Sequence, residues 1–411
     1  MSVFQLFLTI STNSAHMGTA PRRRLDQIDA MRPVKQAGVV ATHSIIYFAP
    51  AAETVSSGAA LLLLHVSREG FFFVSACMLA YSYADLKLTN LAGLRRYYWR
   101  RFLAVGLPYL CWNLIYFLFL LPTAHYSGVA AALRGLAAMM ETGYFQLYFL
   151  LVIMQFYLVF PLLIMLLRRT KGHHGLVLAA TVLAQLVILV LTQLQLLPSL
   201  MQQYTQQDGL SYLLYLVGGC IVAMHLDQVD AWVRRHARLI LTLTVAAGLA
   251  AELCYWVAPY GLSSTLTAGY SEWLPTLVPF NVGAIACGYL AGVALVRPGR
   301  SRSTRAAVRT GADDAYGIYL SHLLVLNSLV WLGWRGLDPV IPWPVLCLLA
   351  VVIVVVVCVP LTELLARTPL ALPLTGRRRV PWRRPGPDAT VPQETVPQEG
   401  PPLQLIPTAS S

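Results

Sequence analysis

The chain has 411 residues, of which 57% are hydrophobic and only 12% are charged. A soluble domain carries about 25% charged residues, so this composition excludes an ordinary water-soluble enzyme and excludes disorder over most of the chain. A polytopic membrane protein remains. In such a protein, the formal net charge of +12 indicates membrane topology and contact with anionic lipid rather than with nucleic acid.

Ten segments are candidate membrane spans, because a spanning helix needs about 20 mostly apolar residues. In chain order they are 33–51, 57–84, 102–122, 146–167, 175–197, 209–226, 238–258, 274–296, 312–334 and 341–366. We therefore predict an all-α polytopic membrane helix bundle with about ten transmembrane helices. A cytoplasmic N-terminal segment (1–32) precedes the transmembrane domain (33–366), and a disordered, proline-rich cytoplasmic tail (367–411) follows it.

Basic residues alternate between successive loops, as they do between the cytoplasmic and external loops of membrane proteins. The segments rich in arginine or lysine are the flank before the first span, the loops 85–101, 168–174, 227–238 and 297–310, and the tail. The intervening loops hold only Arg134 and Arg335. This pattern predicts a plasma-membrane protein whose two termini are both cytoplasmic.

No metal site is predicted. All seven cysteines fall inside apolar runs and none belongs to a C-x-x-C pair, so we interpret them as packing residues. His173 and His174 stand in a basic loop without the ligand spacing of a zinc site.

A few ionisable residues interrupt the predicted spans, where such residues cost about 2.5–3.5 kcal/mol each and often mark a working site. Arg32 and His43 are eleven residues apart, which is about three helical turns and about 16 Å, so their side chains share one helix face. His322 lies at a depth similar to that of His43, and the two histidines could line one cavity. The alternative is a hydrogen-bonded packing histidine and a snorkelling arginine.

Arg68 and Glu69 interrupt the second predicted span. Neighbours in sequence do not face each other on a helix, so we expect each of the two to find its partner elsewhere. Arg68 is then a candidate for binding an anionic ligand group. The alternative is that it forms an ion pair with a residue of another helix.

Three segments carry a recognisable pattern. RLDQIDAMRPVKQAGVVATHS at 24–44 contains an arginine, ten residues and a histidine, here Arg32 and His43. REGFFFVSACML at 68–79 is similar to F-F-x-(I/V/L)-S-G, with Ala76 where glycine is usual. DDAYGIYLSHLLVL at 313–326 is similar to S-x-x-I-Y-L-x-H and ends that motif on His322. In this order, the three resemble the motifs of the acyltransferase-3 family.

Two further segments resemble the same family. RRYYWRRFLAVGLPYL at 95–110 resembles its basic entry to the third helix. FQLYFLLVIMQFYLVFPLL at 145–163 resembles its H-L-W-F-L segment, with Gln146 and Tyr148 in place of histidine and tryptophan. The resemblance covers about residues 24–366. The arginine that opens the second-helix motif is similar to that of the branch that decorates poly-N-acetylglucosamine-type exopolysaccharides.

The resemblance implies an integral-membrane O-acyltransferase, which moves an acyl group, commonly acetyl, from cytoplasmic acyl-CoA to a hydroxyl of a carbohydrate or glycosylated acceptor, usually on the outer side. It implies that His43 is a general base or an acyl carrier and that Arg32 binds or orients the donor. His322 is either a partner of His43 or structural. The arginines suited to the phosphates of coenzyme A are Arg32, Arg68, Arg100 and Arg101.

The main alternative is a transporter or flippase for a polysaccharide or a lipid-linked sugar, which ten helices with buried charges would also suit. Secondary transporters often show repeated halves, and no matching halves are visible in this sequence.

Overall fold

The computed structural model describes residues 25–49, 55–87, 89–261, 273–337 and 339–381. Over these residues the chain is helical and has no strand, which confirms the all-α bundle. The main helices are α1 (Met31–Phe48), α2 (Val55–Leu64), α3 (Val66–Tyr83), α4 (Leu91–Leu120), α5 (Val129–Thr142), α6 (Tyr148–Arg169), α7 (His174–Gln193), α8 (Leu213–Met224), α9 (Leu226–Arg235), α10 (Ala237–Gly261), α11 (Leu277–Leu295), α12 (Arg302–Trp331), α13 (Trp343–Leu365) and α14 (Ala371–Thr375).

Within the described residues, seven helical segments are long and apolar enough to cross a membrane. They are Ser57–Tyr83, Leu91–Leu120, Phe145–Arg169, His174–Gln193, Ala237–Val257, Leu277–Leu295 and Trp343–Leu365. The segment Gly209–Met224 makes an eighth if it is taken together with α9, from which it is bent by 100°. All ten predicted spans fall on helices, but α1 and α12 are not among the apolar seven, so the count of ten is not confirmed.

Two helices begin well before the predicted spans that they contain, because capping side chains start them earlier. The Asn90 side chain accepts a hydrogen bond of 2.8 Å from the Gly93 amide, so α4 includes the basic residues 95–101. The Ser301 hydroxyl accepts one of 3.1 Å from the Thr304 amide at the start of α12. Such caps satisfy amides that lack partners in the first helical turn.

Helix α1 packs against α3, α12 and α13, and most of the buried apolar side chains form one continuous core around these helices. Helix α3 also packs closely on α8, at Gly219. A Cβ there would lie 2.5 Å from the carbonyl oxygen of Phe73, so only glycine allows the two backbones to approach. Several polar side chains of α1 and α12 are buried inside the bundle, among them Lys35, Gln36, His322 and Asn327.

Next to the start of α7, the chain turns sharply from α8 into the amphipathic helix α9. His225 occupies the bend, and its Nε2 lies 2.7 Å from Nδ1 of His174 at the start of α7. The Nε2 atom of His174 lies 2.7 Å from the carbonyl oxygen of Leu167, to which it donates. These two buried histidines join three successive helices and stay outside the cavity described below.

The tail predicted to be disordered from residue 367 begins with a packed segment. Helix α14 lies against α4, where the Trp112 indole donates a hydrogen bond of 3.1 Å to the carbonyl oxygen of Leu374. Ala371 and Thr375 are buried, because the leucine-rich stretch before the proline-rich part still has apolar surface to cover. The rest of the predicted tail, from 382, and residues 1–24 of the predicted N-terminal segment lie outside the described residues.

Candidate active site

A cavity of about 660 Å³ lies between α1, α3, α4, α6 and α12. Arg32 and His43 both line it, so it follows α1 over the three turns that separate them. We call one part the arginine end, lined by Arg32, Arg101 and Arg377. We call the other part the amide end, lined by Phe145, Gln206 and Gln207. The arginine end lies toward the segments predicted to be cytoplasmic, and the amide end toward those predicted to be external.

His43 is half-buried and reaches the cavity from α1. Its ring centroid lies 5.2 Å from that of Phe145 and 5.1 Å from that of His322. The neighbouring hydroxyls of Thr42 and Ser44 donate back to carbonyl oxygens of α1 itself, at 2.9 and 2.8 Å. Thr42 also lines the cavity, but its hydroxyl is committed to the helix backbone, so His43 is the titratable side chain that this turn presents to the cavity.

His322 is completely buried and does not line the cavity. Its Nδ1 lies 2.7 Å from the carbonyl oxygen of Tyr319 and 3.2 Å from that of Ile318. A carbonyl oxygen only accepts hydrogen bonds, so Nδ1 carries the proton and a neutral ring keeps its lone pair on Nε2. Within the described residues, Nε2 has no hydrogen-bond partner. The expectation that both histidines line one cavity is therefore wrong for His322, because its ring is buried behind that of His43 and in contact with it.

The arginine end brings together side chains from three elements. Arg32, in the first turn of α1, lies 3.4 Å from a carboxylate oxygen of Asp29 and keeps a third of its side chain exposed. The Arg101 guanidinium lies 4.6 Å from the ring centroid of Tyr83. Arg100, also predicted to bind the donor, is exposed and does not line the cavity, because it lies one residue away from Arg101 on α4 and points in another direction.

The prediction that Arg68 and Glu69 find separate partners is wrong. A guanidinium nitrogen of Arg68 lies 2.7 Å from Oε1 of Glu69, and both side chains are buried. The two long side chains bend toward each other, since an isolated charge inside a membrane protein is more costly than a sequence-adjacent ion pair. Arg68 also lies 4.8 Å from the ring centroid of Trp273, and it lines the cavity while it is paired.

The segment between α5 and α6 brings the ring of Phe145 into contact with that of His43. Gly143 and Phe145 both adopt left-handed backbone conformations, with φ of 77° and 36°. The second value is unusual for a side chain as large as phenylalanine and signals local strain, which such segments tolerate at functional sites. Sequence reasoning missed Phe145. The glycine at 143 signals a turn, but nothing in the sequence tells which ring the turn presents.

The two altered motif positions also take part in the site. Tyr319 donates a hydrogen bond of 2.5 Å to the carbonyl oxygen of Gln146, and the Gln146 amide donates to the Tyr116 hydroxyl at 3.1 Å. Tyr148 accepts from Arg68 at 3.4 Å. Gln146, Tyr148 and Tyr319 all line the cavity, as does Ser75. The substituted segment therefore still shapes the wall of the cavity beside α12.

A loop before α8 completes the amide end. The Gln155 side-chain amide on α6 donates to the carbonyl oxygen of Gln207 at 2.6 Å and accepts from the Gly209 amide at 3.0 Å. This two-ended contact fixes the backbone that presents Gln206 and Gln207. Both glutamines were missed by sequence reasoning, because a polar loop carries no signal of where it folds back.

A family model described as an acyltransferase domain matches residues 25–363 of this chain, which is most of its length. The matched region includes His43, His322, Arg32 and Arg101, and it ends before Arg377. No curated protein and no solved structure matches the chain significantly.

Proposed function

Because the chain belongs to the acyltransferase-3 family and is a membrane O-acyltransferase, we propose that it moves an acetyl group from cytoplasmic acetyl-CoA to a hydroxyl of a carbohydrate or glycosylated acceptor outside the plasma membrane. The observation that carries this proposal is the cavity, which joins three arginines at one end to His43 and an amide end at the other. Family membership favours the enzyme over the transporter or flippase, the alternative that the sequence left open.

The arginine end suits the donor. Coenzyme A is a polyanion, and guanidinium groups recognise phosphates through charge-assisted, often bidentate hydrogen bonds. Arg32 lies about 16 Å along α1 from His43, which leaves length for an extended pantetheine arm between a bound phosphate and a thioester at the histidine. We therefore place the nucleotide part at the arginine end and the thioester beside His43.

Two mechanisms suit a half-buried histidine at this position. If His43 is a general base, it takes the proton of the acceptor hydroxyl while that oxygen attacks the thioester carbonyl. The C–S bond then breaks, and the leaving thiolate receives the proton. If His43 is an acyl carrier, its ring nitrogen attacks the thioester carbonyl, the C–S bond breaks and the thiolate receives the ring proton. The acceptor hydroxyl then takes the acyl group from the ring and returns its own proton to the ring. Both routes yield an ester and free coenzyme A.

His322 suits a positioning role in either mechanism. Its Nδ1 proton is committed to backbone carbonyls, so its orientation is fixed by α12. A neutral ring held against His43 limits the rotation of the His43 side chain and shields it from the apolar core. We propose that this contact keeps His43 directed at the cavity.

The amide end suits a neutral acceptor with many hydroxyls. It offers aromatic faces and side-chain amides, which both donate and accept hydrogen bonds. Phe145, Gln206 and Gln207 carry no charge, and Arg68, which lines the cavity beside Tyr148, is already paired with Glu69. A polyhydroxylated acceptor is therefore favoured over a strongly anionic one.

The test uses purified protein in neutral detergent with acetyl-CoA labelled in the acetyl group. Release of free coenzyme A is measured alone and with N-acetylglucosamine oligomers, and acetylated product is detected by mass spectrometry. We expect slow release without acceptor and faster release with it. The proposal fails if no coenzyme A is released and the protein instead moves a fluorescent lipid-linked sugar across vesicles without any donor.

A further inference from the structure

Arg377 lines the arginine end of the cavity although it lies beyond the last membrane helix and beyond the region that the family model matches. It belongs to the C-terminal segment that composition alone predicts to be disordered. The cavity therefore contains a cationic side chain from an element outside the matched acyltransferase domain.

The backbone around Arg377 is fixed on both sides. Gly376 adopts φ of 66°, and a Cβ at that position would lie 2.2 Å from a ring carbon of Tyr316. After Arg377 the chain turns back, and the Val380 amide donates to the carbonyl oxygen of Ala366 at 2.8 Å. Helix α14 before Arg377 and this return contact after it hold Arg377 at the arginine end of the cavity.

A buried carboxylate fixes the side chain itself. Nη1 of Arg377 lies 2.7 Å from Oδ1 of Asp314, whose side chain is completely buried, and Nη2 lies 4.0 Å from Asp313. A guanidinium has five N–H donors in a planar fork, so a contact through one of them leaves others to bind an anion. About 29% of the Arg377 side chain stays exposed.

Resting on the proposed function, we propose that Arg377 is a donor-binding residue that contacts a phosphate group of coenzyme A, together with Arg32 and Arg101. Asp314 positions it for this contact. The C-terminal segment is then part of the substrate site, and it completes the arginine end only after α14 has packed on the bundle.

A purely structural role for Arg377 makes a different forecast. If its ion pair with Asp314 only attaches the tail, its loss loosens the tail but removes no phosphate contact. Binding of coenzyme A would then keep its full dependence on salt, because that dependence reports the number of charge contacts with the ligand.

The experiment measures binding of coenzyme A to the full-length protein in neutral detergent by titration calorimetry at several sodium chloride concentrations. Arg377→Ala is compared with Arg379→Ala, a matched control that removes the same charge from the same segment outside the cavity. Arg379 donates to the backbone of Arg367 and is exposed. Thermal unfolding midpoints of both variants check folding, and Arg377→Lys retains the charge if the alanine variant folds poorly.

We expect Arg377→Ala to bind coenzyme A about tenfold more weakly, which is the size of a lost charge-assisted hydrogen bond, and with a flatter salt dependence. Arg379→Ala should match the wild type, and Arg377→Lys should be intermediate with the wild-type salt dependence. The proposal is overturned if Arg377→Ala binds like Arg379→Ala, or weakens with its salt dependence intact. Absence of binding by the wild type would overturn the proposed donor as well.

Discussion

Helices α1 and α12 both carry a histidine into the interior of the bundle, and both are too polar to be counted among the apolar spans of the described residues. Their histidine rings lie 5.1 Å apart, yet their environments differ. His43 lines a cavity and is half-buried, whereas His322 is sealed behind it with one nitrogen bound to backbone carbonyls. Equal residue type and similar depth therefore do not give equal access to the cavity. Access to the cavity decides which ring can reach a substrate.

The largest effect is expected from His43→Gln. Glutamine can replace a hydrogen bond of the ring but cannot take up a proton or carry an acyl group, so acetyl transfer should fall by about 10²–10⁴-fold, or further for a covalent carrier. Transfer is measured at matched membrane abundance. Near-normal activity in this variant would show that His43 is a packing histidine. His43 and His322 would then not differ in their importance for catalysis.

A smaller loss is expected from His322→Gln. The variant disturbs a buried, hydrogen-bonded ring that we propose orients His43. A misplacement that costs as much as an unsatisfied buried polar group corresponds to roughly a 10- to 100-fold loss of rate. The kcat value should fall while the KM for acetyl-CoA stays close to that of the wild type. A loss as large as that of His43→Gln would mean that the two histidines act as an equal pair.

Phe145→Ala tests whether a second ring helps to hold His43 in place, because Phe145 contacts the ring of His43. Losing one aromatic contact is worth about 0.5–1.5 kcal/mol, so activity should fall about two- to tenfold. Phe145→Tyr keeps the ring and is the control. If Phe145→Ala is as active as the control, the ring does not help to hold His43 in place.

Helices α1 and α12 are both predicted to start at the cytoplasmic face of the membrane, and this orientation can be tested directly. Reporter fusions at Gly209 and Gly299 should report the outside and the inside, respectively. The opposite result at either position would reverse the assignment of the arginine end to the cytoplasm.

Much of the architecture could be predicted, because long apolar segments and loop charges are local properties of the sequence. The ten predicted segments fall on helices. The matched depths of His43 and His322 indicated that the two residues lie near each other, but the expectation that both line one cavity was wrong for His322. The pairing of Arg68 with Glu69 was missed, because helix geometry fixes the direction of the Cα–Cβ bond but not the position of the charged group at the end of a long, flexible side chain.

The remaining errors concern segments whose folding depends on distant partners. Arg377 was assigned to a disordered tail, because proline-rich composition hides the few apolar residues that bind α4. Phe145 gave no signal, because its position follows from positive φ angles at both Gly143 and Phe145 itself. Such features arise from tertiary contacts, and no local pattern encodes them.

In the proposed mechanism, one cavity connects a donor on one face of the membrane to an acceptor on the other through His43. The most direct test uses proteoliposomes of known orientation with labelled acetyl-CoA on the predicted cytoplasmic side and a membrane-impermeant N-acetylglucosamine oligomer on the opposite side. We expect labelled oligomer with the wild type and almost none with His43→Gln. Label that appears only when donor and oligomer share the same side would contradict it.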